Sequence, residues 1–160
     1  NFFNFSKGIS YFATSAIYYN NFEPEAAVMY DPIKDDLFCT EKGRGAFVNN
    51  SRIRFSSTKS LENALFAFDD NKVFINFSKT PFFKEMGSEL RVFGCRCLDL
   101  AYLSSGKIDC YVSGEEFEKS PDPGILFVKE SGGIMYKKQN LEKVFFCSNN
   151  YINDILDSKL

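Results

Sequence analysis

Short apolar runs separated by turn residues fill the first third of the chain. Apolar and polar positions alternate strictly in Arg52-Ile53-Arg54-Phe55, and Asp31-Pro32 is a typical turn sequence. Strands of this length joined by tight turns form antiparallel sheets. We therefore predict an antiparallel meander over residues 10–56, with strands at 11–19, 25–30, 36–40, 43–48 and 52–55.

From about residue 91 the pattern changes to alternating strands and helices. Gly106 and the pair Gly132-Gly133 are predicted to end two helices, and the second of these is predicted to begin at Ser120-Pro121, with serine as N-cap. Asn149 is predicted to help cap a last helix. The first helix has one face made of Leu98, Ala101, Tyr102 and Ser105, and strands are predicted near 108–112, 134–136 and 144–146.

A boundary near residue 60 is predicted between these two patterns. Residues 1–60 are predicted to be the last strands of an antiparallel-sheet domain, and residues 61–160 an α/β domain. A short strand is predicted near Leu65, but the Phe-rich segment that follows, to about Ser88, has no clean period and predicts no element. No linker or repeat marks the boundary.

Charge and hydropathy exclude two classes of partner. The chain has 19 Lys and Arg against 21 Asp and Glu, a net charge of −2, and no block of like charges. A nucleic-acid or membrane-surface partner is therefore not expected. No apolar run approaches the roughly 20 residues that cross a bilayer, and no signal peptide is evident, so a cytoplasmic location is predicted.

The residue types limit the available chemistry. The chain has no histidine, which excludes Ser-His-Asp and Cys-His catalytic groups. Its five cysteines lack the paired CxxC spacing of a zinc site and are predicted to be small buried residues in a reducing compartment. Any chemistry must come from carboxylates, hydroxyls, thiols or a metal. The cysteines are Cys39, Cys95, Cys97, Cys110 and Cys147.

Five segments in order resemble the inositol monophosphatase family. Residues 4–8 match those that follow the family's DPxDGT motif, residues 94–102 resemble its G-[ST]-A-A-L-D-L-A-Y segment, and residues 130–133 match its E-A-G-G. A strand-turn-strand at 28–38 and a glycine hairpin at 42–49 lie between them. The resemblance covers nearly the whole chain.

The resemblance implies a fold and an activity. The fold is an αβαβα layered sandwich of the sugar-phosphatase type, of mixed α+β and α/β character, here a fragment lacking the N-terminal part. The activity is hydrolysis of inositol or other sugar phosphate monoesters by metal-activated water, with Mg²⁺ as cofactor. Family members are commonly homodimers, so a homodimer is also implied.

The family's catalytic positions are changed in this sequence. Its upstream glutamate and both DPxDGT aspartates would precede residue 1, and its threonine, which orients the attacking water, falls on Phe2. The aspartate of its WDxAAG motif falls on Ser120, so no metal site is predicted to be intact and no bound Mg²⁺ is expected. The substrate-binding positions fall on Gly94, Cys95, Arg96 and Ser113.

Several of these residues allow two interpretations. Ser120 is either a weakened metal ligand or a helix N-cap, and Asp122 could replace the lost metal contact or simply favour a helix start. Arg96 could bind phosphate or pair with Asp99 three residues on. The acidic loop could bind a cation or be solvated, and the hairpin Gly43-Arg44-Gly45 could cradle phosphate or form a tight turn. That loop contains Glu115, Glu116 and Glu118.

Two functional hypotheses follow from the resemblance and its departures. The chain could descend from a phosphatase that acts on inositol or sugar phosphate monoesters, while these 160 residues alone are inactive. Alternatively, it could be a non-catalytic binding or regulatory scaffold, or a decayed remnant of a split gene. Whether the chain is itself an enzyme is left open by the sequence.

Overall fold

The computed structural model describes residues 1–117, 122–137, 141 and 144–160. After a short helix α1 (Phe2–Ser6), five strands form an antiparallel sheet in chain order, which confirms the predicted meander. Its strands are β1 (Thr14–Asn20), β2 (Glu23–Asp31), β3 (Asp36–Glu41), β4 (Gly45–Val48) and β5 (Ser51–Ile53).

A second five-stranded sheet follows, in the order β7-β6-β8-β10-β9. Strand β6 is parallel to β7 and β8, and β10 is antiparallel to β8 and β9. Its strands are β6 (Leu65–Phe68), β7 (Glu89–Arg91), β8 (Cys110–Ser113), β9 (Ile134–Lys137) and β10 (Phe145–Ser148). The helices are α2 (Asn71–Ser78), α3 (Arg96–Ser104), α4 (Gly124–Ser131) and α5 (Asn150–Lys159).

Most predicted elements of the second half are confirmed. The helix ends at Gly106 and Gly132 have the expected left-handed backbone, and the Asn149 side chain accepts a hydrogen bond from the Ile152 N–H to cap α5. The segment without a predicted element contains α2, which Asp70 caps by accepting from the Val73 N–H, and 3₁₀ turns at Leu61–Asn63 and Pro81–Glu85.

The predicted start of helix α4 is wrong. The helix begins at Gly124 after Pro123, whereas Ser120 and Pro121 lie outside the described residues. Gly124 faces α3 so closely that a Cβ there would lie 2.6 Å from the Leu100 Cβ. The close approach of α3 and α4 therefore requires glycine at the first turn of α4.

The elements stack as sheet, helices, sheet, helices, which confirms a layered α+β sandwich. Helices α3 and α4 contact the first sheet, and one buried cluster joins Met29 and Phe38 of that sheet to Tyr111 of the second. Helices α2 and α5 bury Phe77 and Ile152 against the other face of the second sheet. Because both sheets share a core, the division near residue 60 stays a prediction.

The outer face of the first sheet is exposed. Alternate residues of β2 and β3 are buried, such as Met29 and Phe38, while their neighbours Val28, Tyr30 and Leu37 are about 40–46% exposed. Strand β1 is an edge strand. Among the described residues, no helix is long and apolar enough to cross a membrane.

The glycine hairpin is tied to helix α4 by a carboxylate. The backbone N–H groups of Gly43 and Gly45 donate to the two Glu130 carboxylate oxygens at 2.8 and 2.9 Å. Both glycines have positive φ, as a tight turn of this shape requires. The N–H groups that could have cradled phosphate are therefore already engaged, and the tight-turn interpretation of the hairpin is favoured.

Helix α3 carries a buried acid. Asp99 is fully buried, and its Oδ1 accepts a hydrogen bond from the Tyr11 hydroxyl at 2.6 Å. Its Oδ2 has no hydrogen-bond partner among the described residues. Burial raises the pKa of Asp99 to about 8, and the Tyr11 bond only partly opposes this shift. The carboxyl group therefore keeps its proton in the folded chain near neutral pH.

We expect Glu130→Ala to lower the free energy of unfolding by about 1–2 kcal/mol, because it leaves two hairpin N–H groups without their charged acceptor. Urea unfolding measures the loss. Glu41→Ala is the matched control, since the Glu41 carboxylate pairs with the exposed Arg44 at 3.2 Å, and we expect little change. Equal losses in the two variants would contradict a specific role for Glu130.

We expect the chain to lose stability as the pH rises from about 4 to about 8. Over this range the folded state keeps the Asp99 proton that the unfolded state releases, so stability falls by up to about 1.4 kcal/mol per pH unit. Asp99→Asn removes this titration. The stability of this variant should therefore depend less on pH, and near pH 8 the variant should be more stable than the unaltered chain. Urea unfolding at several pH values in this range measures the stability of both proteins. Parallel profiles of stability against pH for the two proteins would contradict the prediction.

Candidate functional site

Four elements meet at one edge of the second sheet. Asp69 directly follows the parallel strand β6, and Ser113 ends its neighbour β8. Arg96 opens helix α3, and Asp122 lies two residues before helix α4. The carboxyl ends of parallel strands are where α/β proteins most often bind ligands. This edge is therefore the candidate functional site.

Arg96 lies at the centre of the site. Its Nη1 donates to Asp69 Oδ2 and to Ser113 Oγ, each at 2.9 Å, and its Nε lies 3.4 Å from Asp122 Oδ2. The Glu115 carboxylate lies 3.8 Å from the same Nη1 but is largely exposed. We call Arg96, Asp69, Ser113 and Asp122 the Arg96 cluster.

Neighbouring groups fix both aspartates of the cluster. The Tyr111 hydroxyl donates to Asp69 Oδ1 at 2.8 Å, so both oxygens of Asp69 are engaged. Asp122 Oδ1 accepts the Gly124 N–H at 2.7 Å, which leaves Oδ2 to face Arg96. The carboxylates are therefore oriented toward the guanidinium from opposite segments of the chain.

The cluster is largely removed from solvent. The side chains of Arg96, Asp69 and Asp122 are 16%, 18% and 13% exposed. Burial raises the pKa of Asp122, while the Gly124 N–H and the Arg96 charge act in the opposite direction. Charges that lie so far from water need a close partner of opposite sign. Arg96 is that partner for both aspartates.

These residues do not fit a magnesium ion. Mg²⁺ requires several oxygen ligands in near-octahedral geometry, and here the positive guanidinium lies between the two carboxylates. Throughout the described ranges, no group of three or more His, Cys, Asp or Glu side chains is placed to hold a metal ion. The cation at this edge is part of the chain itself.

The structure brings together some of the predicted site residues. Arg96 and Ser113, predicted as substrate-binding positions, are in direct contact, and Asp122 joins them. Gly94 and Cys95 form the turn into α3, with Gly94 at a φ of +76°. Their roles in substrate or metal binding stay predictions.

Phe2, another predicted position, is not among the contacts described for Arg96. Phe2 lies in α1 with its side chain 82% exposed. Ser120, the predicted replacement for the family's metal-binding aspartate, lies outside the described residues.

Of the two interpretations of Arg96, the pairing with Asp99 is wrong. Although the two are three residues apart in the same helix, Asp99 accepts from Tyr11, and Arg96 turns to Asp69 and Asp122. Asp99 is fully buried in the core. Arg96 therefore pairs with residues that are distant in the sequence and not with Asp99 in its own helix.

The acidic loop is only partly described. The Glu115 carboxylate is 74% exposed, and Glu116 lines a cavity of about 250 Å³ with Phe117 and Tyr136. Glu118 lies outside the described residues. The cation-binding interpretation of this loop stays a prediction.

Sequence reasoning missed Asp69 and Tyr111. Asp69 lies in the segment for which no element could be predicted, directly after the apolar run Leu65–Phe68. A polar residue at the carboxyl end of a buried strand was the available signal. Tyr111 gave no signal, because its position in a buried strand also suits a purely apolar role.

We expect Arg96→Ala to lower the free energy of unfolding by about 3 kcal/mol, since removing one partner of a buried ion pair leaves its carboxylates uncompensated. Arg91→Ala is the matched control, because Arg91 pairs with an exposed Glu89 and its loss should cost less than about 1 kcal/mol. Arg96→Lys keeps the charge and should be intermediate. Urea unfolding measures all three, and equal losses for Arg96→Ala and Arg91→Ala would contradict the account.

Comparison with known proteins agrees with the fold and with the segments described above. A model of the inositol monophosphatase family matches residues 3–152. Nus factor SuhB of Pseudomonas aeruginosa is 34% identical over 141 residues, which cover 82% of this chain and 51% of that protein. The fructose-1,6-bisphosphatase/inositol-1-monophosphatase of Thermotoga maritima is 30% identical over 159 residues, 94% of this chain and 60% of that protein.

A solved structure agrees with these sequence matches. The crystal structure of the extragenic suppressor protein SuhB from Bartonella henselae superposes with a TM-score of 0.82 and 30% identity, over 98% of this chain and 64% of that one. The chain thus spans about half to three fifths of the length of the curated relatives given above. The match to the family model over most of the sequence shows that the chain belongs to the inositol monophosphatase family.

Proposed function

We propose that this chain derives from a metal-dependent phosphatase of inositol or sugar phosphate monoesters, and that these 160 residues do not carry out the hydrolysis by themselves. Family membership supports the substrate class, as does the name of the Thermotoga relative, a fructose-1,6-bisphosphatase/inositol-1-monophosphatase. The observation that carries the inactive state is the position of the Arg96 guanidinium between Asp69 and Asp122.

The side chains at the site lack a group suited to activate water. The chain has no histidine, and Asp69 accepts hydrogen bonds from both Tyr111 and Arg96. A carboxylate held in this way is a weak general base, because its charge is already stabilised. Phe2, at the position of the family's threonine, has no hydroxyl group to orient a water molecule.

The charge of the Arg96 cluster also opposes phosphate binding. One arginine and two aspartates give a formal charge of 1 − 2 = −1, and the nearby Glu115 makes it more negative. A phosphate monoester dianion would have to displace carboxylates from the guanidinium to reach it. This supports the internal ion pair over phosphate binding as the role of Arg96.

The second candidate function is a non-catalytic binding or regulatory scaffold. One observation favours this function specifically. The buried aspartates are paired with an arginine of the same chain, so the chain can fold without a metal ion as their counter-charge. Relatives named Nus factor SuhB also belong to this family. A decayed remnant of a split gene remains the alternative.

We also propose a cytoplasmic location and a homodimer. The five cysteines are free thiols, as a reducing compartment favours. The homodimer rests on family resemblance alone. Size-exclusion chromatography with light scattering measures it directly.

We expect no release of phosphate above the blank when the folded 160-residue chain is incubated with Mg²⁺ and either inositol 1-phosphate or fructose 1,6-bisphosphate. The physical reason is that the Arg96 guanidinium is already paired with both aspartates at the sheet edge. The Thermotoga relative serves as positive control in the same assay, and circular dichroism establishes that the chain is folded. Turnover that depends on Mg²⁺ and is lost in Asp122→Asn would refute the proposal.

A further inference from the structure

Two cysteines flank Arg96 at the start of helix α3. Cys95 is the N-cap residue and Cys97 lies in the first turn, with their sulfur atoms 4.0 Å apart. Cys95 is 2% exposed and Cys97 is half-buried. Neither thiol is used in the contacts that hold the Arg96 cluster together. The proposed function therefore gives this pair of thiols no role.

The two thiols differ in their ease of ionisation. The pKa of Cys95 is lowered, first because of its contact with the Cys97 thiol. Burial opposes this shift, and the Leu98 N–H of the first helical turn lowers the pKa of Cys95 further. The pKa of Cys97 is raised by the same Cys95 contact and by burial. A thiolate at a helix N-terminus beside a protonated thiol is a common arrangement in reactive cysteine pairs.

The geometry allows the two sulfurs to join. Residues two apart in a chain have Cα atoms at most roughly 7 Å apart, close to the upper end of the range that disulfides span. Closing the gap from 4.0 Å to a bond of about 2 Å therefore needs side-chain rotation and a small adjustment of the first turn of α3. The ring would enclose Arg96, so its closure would alter the backbone that holds the cluster.

The burial of the two thiols favours reaction with a small oxidant over a large one. The near-complete burial of Cys95 disfavours attack on a bulky disulfide such as oxidised glutathione, which must approach the sulfur in line. A hydroperoxide needs to present only one oxygen atom. Cys97, which is half-buried, is the more exposed of the two thiols.

We propose that Cys95 and Cys97 form a peroxide-sensitive dithiol, in which Cys95 is the attacking thiolate and Cys97 the resolving thiol. The Cys95 sulfur attacks one oxygen of hydrogen peroxide, forming an S–O bond as the O–O bond breaks and hydroxide leaves. The Cys97 sulfur then attacks the sulfenic acid, forming the S–S bond as water leaves. In total, two thiols give up two electrons and two protons, and one peroxide becomes two waters.

Mass spectrometry after peroxide treatment tests the proposal. The folded chain is exposed to hydrogen peroxide, remaining thiols are alkylated, and the protein is digested without reductant. We expect the region 92–107 to be lighter by two hydrogen atoms and unalkylated, either as one peptide or as two fragments joined after cleavage at Arg96. Dithiothreitol should restore two alkylatable thiols.

Variants separate the two roles. Cys97→Ser should stop the reaction at a Cys95 sulfenic acid that dimedone traps. Cys95→Ser should slow thiol loss at Cys97 by about tenfold or more, because burial still raises the pKa of Cys97 when Cys95 is gone, and a thiol with a raised pKa is a poor nucleophile. Cys39→Ser is the matched control, as Cys39 is a half-buried cysteine in β3, and it should oxidise like the unaltered chain. A disulfide that involves Cys39 or a second copy of the chain, or full alkylation of Cys95 and Cys97 after peroxide, would overturn the proposal.

Discussion

The pairing of one guanidinium with two buried carboxylates is the interaction on which the candidate site depends. Arg96 joins the end of β6, the start of α3 and the approach to α4, which lie far apart in the sequence. Each aspartate is more than four-fifths buried, and a buried charge without a partner costs several kcal/mol. The chain supplies its own cation at an edge where clustered carboxylates would otherwise favour a divalent metal ion.

The rest of the fold keeps this edge in place without adding chemistry to it. Parallel strands β6 and β8 bring Asp69 and Ser113 side by side, while Glu130 fastens the glycine hairpin of the first sheet to α4. The chain thus retains the packing of helices and sheets in the family's layered fold. The Arg96 cluster places a cation of the chain itself between two carboxylates, and this arrangement is the basis for proposing an inactive chain.

Local sequence patterns predicted most of the helices and strands, and tertiary contacts explain the features that these patterns missed. The meander followed from alternation and turn residues that lie next to one another in sequence. Helix α2 was missed because only Val73 and Phe77 of its residues are buried, which is too few to give a helical period. Asp99 was the partner considered in one of the two interpretations of Arg96, because a sequence shows only local neighbours, whereas Asp69 lies 27 residues away. The motifs singled out Arg96 and Ser113, which the structure brings into contact, but the ion pairs of Arg96 depend on the packed sheet.

Calorimetric titration of the folded 160-residue chain with magnesium chloride tests the central claim most directly. If Arg96 is the resident counter-cation for Asp69 and Asp122, the titration should show only the heat of dilution. The Thermotoga relative, titrated under the same conditions, controls for the sensitivity of the method. Saturable heat from this chain that disappears in Asp122→Asn would show that the carboxylates accept a metal despite Arg96, and would contradict the account.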